Sequence, residues 1–102
     1  MSREEIEDIL LFIGFKIDEY YGFVYKSEGT KWEIVCGLDK STIRFVVYYE
    51  KIFECHEILF KNCEFDLNNL VKSIKFNCKF PEEELANMIL RSEREKKIKF
   101  II

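Results

Sequence analysis

The chain has 102 residues, 48% of them hydrophobic and 34% charged, with only one proline and four glycines. This is the composition of one folded domain able to bury its own core, and it excludes a disordered or low-complexity chain. Nineteen acids against sixteen bases leave a net charge of −3, so a broad electrostatic grip on a phosphate backbone is disfavoured.

Charge is uneven along the chain. Residues 1–30 hold seven acids and three bases, a local excess of −4, whereas the remaining residues are close to balance. The apolar run Ile9 to Phe15 is too short to span a bilayer and follows acids instead of a basic segment, so neither a signal peptide nor a membrane helix is predicted. Cys36, Cys55, Cys63 and Cys78 allow three pairings, but a core of this size needs no staples. A cytoplasmic protein with reduced thiols is the expectation. Abundant Ile, Phe, Lys, Tyr and Asn, with Ala86 the lone alanine, match AT-rich codons and suggest a bacterial or phage genome.

Ser2-Arg3-Glu4-Glu5 is a capping box, and Ile6, Ile9, Leu10 and Ile13 follow at helical spacing until Gly14, which predicts a helix over 3–13. From Phe15 to Leu59 the texture becomes aromatic and β-branched between turn residues, as in an antiparallel meander. Four strands are predicted: Tyr20 to Lys26, Trp32 to Cys36, Thr42 to Glu50, and Ile52 to Phe60. In the third, Ile43, Phe45, Val47 and Tyr49 share the face expected to meet the core. The fourth does not alternate cleanly, which a bulge or burial on both faces explains.

Asp66 is a good N-cap for a helix with Leu67, Leu70, Val71 and Ile74 inside, and Pro81 opens another with Leu85, Met88 and Ile89 inside. Glu82, Glu83 and Glu84 suit the positive end of its dipole, and Lys96 and Lys97 the negative end. The alternation of Ile98, Phe100 and Ile102 with Lys97, Lys99 and Ile101 predicts a short C-terminal strand, paired in the sheet or between copies. The fold class is therefore α+β, one domain over 1–102, with the helices packed on one face of the sheet.

Candidate chemistry is sparse. The cysteines lie 19, 8 and 15 residues apart, not in the tight pairs of zinc knuckles, and the adjacent strand residues Cys55 and His56 point to opposite faces. No metal or cofactor is predicted. His56, the single histidine, lacks any glycine-rich nucleophile turn nearby, so no catalytic residue is assigned and the protein is read as not an enzyme. The order of helix, meander and helix is shared by double-stranded-RNA-binding modules, whose last helix begins with basic residues. Here Pro81-Glu82-Glu83-Glu84 stands at that place and would repel RNA.

Acids and aromatics remain. Glu4, Glu7, Asp8, Asp18 and Glu19, together with Tyr20 and Tyr21, suit a protein-binding face. The expected partner is another protein with a basic nucleic-acid-binding or catalytic groove, and the expected role is that of an antagonist such as a phage-encoded inhibitor of a bacterial defence nuclease or an immunity protein. The alternative is a self-associating accessory subunit, a homodimer built on Ile98, Phe100 and Ile102 or on an open sheet edge.

Overall fold

A computed structural model describes residues 2–50 and 53–101, with side chains for 2–50 and 56–94. The first helix, α1 (Arg3–Ile13), starts where the capping box requires: the Ser2 hydroxyl accepts the Glu5 N–H at 3.2 Å. It ends at Gly14 in the left-handed region, φ 118°, where the Gly14 N–H donates to the Leu11 carbonyl and the Phe15 N–H to that of Leu10. A Cβ at Gly14 would stand 2.7 Å from Arg91 Nη1, so glycine answers both the dihedral and the space. Ile6, Leu10 and Ile13 are buried along one stripe.

Five strands follow: β1 (Lys16–Asp18), β2 (Gly22–Lys26), β3 (Trp32–Leu38), β4 (Thr42–Tyr49) and β5 (Phe53–Lys61). They form one antiparallel sheet in chain order, a plain meander. One strand more is present than the periodicity predicts, because Lys16-Ile17-Asp18 is too short to show an alternation. The first predicted strand also begins later. Tyr20 and Tyr21 belong to a turn, in which Asp18 Oδ1 accepts their two backbone N–H groups at 2.8 and 3.1 Å. Gly22 closes that turn at φ 94°, and any Cβ there would meet the Cys36 carbonyl oxygen at 2.9 Å.

The irregular alternation of the last strand is a bulge. Val47 pairs with His56 and Tyr48 with Glu54, so the ladder slips by one residue between them. A single 3₁₀ turn (Asn62–Glu64) leads to α2 (Leu67–Asn77), capped by Asp66 Oδ1 on the Asn68 N–H at 2.9 Å, and then to α3 (Glu82–Ile101).

The predicted C-terminal strand is corrected: the backbone is helical through Ile101. From Arg91 to Lys97 the sequence is rich in helix-forming residues and has neither glycine nor proline. Extending an existing helix adds one hydrogen bond per residue fixed, whereas six alternating residues are a weak signal for a strand. Of the three residues proposed for self-association, Ile98 and Phe100 have side chains outside the described set, and Ile102 lies outside the described residues.

All three helices lie on one side of the sheet. Ile34, Cys36, Ile43, Phe45 and Val47 form its inner face and pack against Ile6, Leu10, Leu70, Ile74, Leu85 and Met88. Aromatic rings bind the layers, with Phe45 stacked on Phe65 at 5.8 Å and tilted or edge contacts linking Phe15 to Tyr25 and Tyr25 to Phe80. Tyr49, expected inside, sits at the strand end and is exposed, with Trp32 alongside at 5.0 Å.

Candidate partner-binding surface

Side chains alternate across a strand, so the residues between the core positions line the outer face of the sheet, which none of the described helices covers. Strand register places Lys16, Val24, Val35, Val46 and Glu57 in one row across it. Lys26, Glu33 and Tyr48 make the next row. Val24 and Val46 are buried on this uncovered face, Val46 between Arg44 and Tyr48 of its own strand. Arg44 of β4 and Glu57 of β5 pair at 2.9 Å, both well exposed. Toward the β1–β2 turn a cleft of about 400 Å³ opens, with an apolar floor of Val24 and Val35, walls of Lys26, Glu33 and Tyr48, and Asp18 and Tyr21 at its end.

The acids and tyrosines expected to act together fall into two groups. Asp18, Glu19, Tyr20 and Tyr21 form the β1–β2 turn, and Tyr20 and Tyr21 are 90% and 63% exposed. Glu4, Glu7 and Asp8 ride on α1 in the helix layer, on the other side of the sheet from the cleft. Glu4 and Asp8 are exposed, and Glu7 is half-buried and accepts from Arg3 at 3.2 Å. Asp18 has a task of its own, because its carboxylate holds the turn that presents the tyrosines.

A second cleft, about 570 Å³, lies where the end of α1, strand β2 and α3 meet. Glu84 is among its lining residues. One of its carboxylate oxygens accepts the Tyr25 hydroxyl and the other accepts Ser27 Oγ at 3.2 Å. Arg91 Nη1 donates to the Ile13 carbonyl at 2.9 Å, placing a cation on the negative end of α1. Burial, reinforced by the hydrogen bond and charge of Glu84, pushes the Tyr25 phenol up to about 12, against a smaller opposing pull from Arg91. Tyr25, Ser27, Glu84 and Arg91 are thus engaged with one another or with the backbone, and together they fasten α3 to the sheet and to α1. Sequence reasoning took Glu84 only as a dipole partner, since nothing local links it to Tyr25 59 positions earlier.

Among the described residues the thiols and the imidazole do not converge, and the Cys55 side chain lies outside the described set. Cys36 faces the core, and burial raises its thiol to about 12, far from a reactive thiolate. It pairs with Phe45, which pairs with Ile58, so β5 and its His56 lie two strand spacings away, about 10 Å. Cys63 is exposed and Cys78 half-buried. Among the described residues no three of His, Cys, Asp or Glu are grouped to hold a metal ion, and no helix is long and apolar enough to cross a membrane.

No protein-family model, curated protein or solved structure matches the chain, so its surface is read on its own residues.

Proposed function

We propose that the protein works without catalysis, by binding another protein and covering a basic functional surface of it, with the β1–β2 turn as the primary contact. The observation that carries this reading is a pair of exposed tyrosines, Tyr20 and Tyr21, on a turn whose backbone is held by Asp18. A large aromatic side chain on a rigid support loses little conformational freedom when a partner covers it, which is why such residues concentrate binding energy. Glu19 beside them, and Glu4 and Asp8 on α1, add negative potential that speeds encounter with a cationic partner. A nuclease, a toxin or a nucleic-acid-guided defence enzyme has such a surface, and an inhibitor or immunity protein is the role that fits.

The test separates contact from steering. Tagged protein is used to capture partners from a bacterial lysate, in parallel with Tyr20→Ala/Tyr21→Ala and with Glu4→Lys/Asp8→Lys/Glu19→Lys. Asp18 is left intact because reversing it would disturb the turn. A basic nucleic-acid enzyme or toxin held by the parent should bind the tyrosine variant at least tenfold more weakly, through faster dissociation, and the charge variant through slower, salt-insensitive association. Equal affinity for all three proteins rejects the proposed surface.

A further inference from the structure

The two edges of the sheet differ. At one side β1 offers three residues and then turns away. At the other, β5 is the last strand and runs for nine residues, and among the described residues no further strand lies beside it on that side. An edge of that length has backbone donors and acceptors directed outward, and proteins usually blunt it with proline, a short strand or charge. Proline is absent from β5. Its bulge lies near the Phe53 end, so the stretch Glu57 to Lys61 is regular.

The hydrogen-bond phase of that stretch follows from its end. The Asn62 N–H donates to the Ser41 carbonyl at 3.0 Å, and Thr42 is register partner to Lys61. Narrow pairs alternate along an antiparallel ladder, so Asn62, Phe60 and Ile58 turn their main-chain groups toward β4. Glu57, Leu59 and Lys61 therefore turn theirs outward. The far side of β4 agrees: the Asp39 N–H bonds the Thr42 carbonyl, so Thr42 faces β3 and not β5. All three outward residues carry exposed side chains on the uncovered face of the sheet, and Leu59 is 61% exposed.

We propose that this edge pairs with its counterpart in a second copy of the chain, antiparallel and about a two-fold axis through Leu59. A two-fold contact is self-complementary, so whatever opposes Glu57 must be opposed by Glu57 in return. Centring on Leu59 sets Glu57 against Lys61 of the other copy, twice, with the two exposed leucines facing each other. Each of the three residue pairs exchanges two main-chain hydrogen bonds. A centre at Glu57 or at Lys61 would oppose like charges, and a centre at Ile58 or Phe60 would set a charge against Leu59. Charge that guards the edge against other strands thus favours this single register. The ladder is short, so the dimer is a weak, concentration-dependent one. It would join two sheets into one with a continuous outer face and leave both β1–β2 turns free at the far ends.

The test needs only purified protein, so it stands apart from any partner. Light scattering across a concentration series should show the mass rising from 12.3 kDa toward twice that value. Lys61→Glu, an exposed change expected to leave the thermal midpoint in place, should weaken dimerisation by about tenfold or more, since both cross-pairs become repulsive. Glu57→Lys combined with Lys61→Glu should restore it, with Arg44→Glu added because Arg44 pairs with Glu57 at 2.9 Å and would otherwise face a like charge. In a Cys55→Ser/Cys63→Ser background, needed because Cys63 is an exposed free thiol, Leu59→Cys should cross-link to itself on mild oxidation while the background protein does not, because directly opposed residues have Cα atoms about 5.5 Å apart, within disulfide reach. A monomer at every concentration overturns the proposal. So does a dimer that Lys61→Glu leaves intact and Leu59→Cys fails to trap.

Discussion

Phe45 and Val46 are neighbours on β4, and both are almost wholly withdrawn from water, one fully and the other to 5% exposure. Phe45 lies under the helices, stacked on Phe65 and edge-on to Phe15 and Phe60. Val46 lies on the outer face, where it is flanked by Arg44 and Tyr48 along its strand and by Val35 and Glu57 across it. The same exposure therefore describes two environments. Behind one stand close-packed layers that cannot collapse into a void, and around the other stand long side chains that can shift.

Truncation should separate the two faces. Phe45→Ala is expected to cost about 3–5 kcal/mol, the transfer of the ring plus a cavity the three-helix layer cannot fill. Val46→Ala should cost about 1.5 kcal/mol, the transfer term alone, because neighbouring side chains can settle into the space. Urea unfolding of both variants checks the pair. Similar losses would mean that the outer face is as rigidly packed as the core.

Alkaline pH probes the covered side. The Tyr25 phenol is raised in the folded protein to about 12 from its ordinary 10.0, and the Cys36 thiol to about 12 from 9.0. The unfolded chain then releases these protons at lower pH than the folded one. Their contribution is whole below about pH 9 and is lost as pH rises toward 12. Urea midpoints at pH 8 and pH 11 should fall for the parent. Tyr25→Phe should fall less steeply, and an unchanged slope would show that burial and the Glu84 carboxylate together do not hold the phenol neutral.

The smallest effect belongs to the turn. Tyr20→Ala should move the unfolding free energy by no more than about 0.5 kcal/mol, since the side chain is 90% exposed and the turn is held by Asp18. A larger loss would make Tyr20 part of the fold and weaken its assignment as a contact.

How much could be read in advance divides along physical lines. The ends of α1 and the starts of α2 and α3 were legible, because a cap is made by residues two or three positions apart: Ser2 with Glu5, Asp66 with Asn68. The buried stripes were legible for a similar reason, helical spacing being local. β1 escaped because three residues carry no period, and the C-terminal segment misled because its short alternation competed with a helix already under way. Tyr20 and Tyr21, assigned to a binding face, are exposed, but the periodicity places them in a strand whereas Asp18 holds them in a turn.

By itself, the sequence determined the α+β class, the succession of one helix, a meander and two helices, and the inner face of each helix, all through hydrogen bonds and periodicities spanning a few residues. Tertiary structure decided which side of the sheet stays bare, that Glu84 meets Tyr25, that the α1 acids and the tyrosine turn stand on separate elements, and which main-chain groups of β5 face outward. Each of these depends on strand register or on packing between segments many tens of residues apart. Register emerges only when the whole core closes, because shifting one strand by a single residue would turn every one of its side chains to the other face.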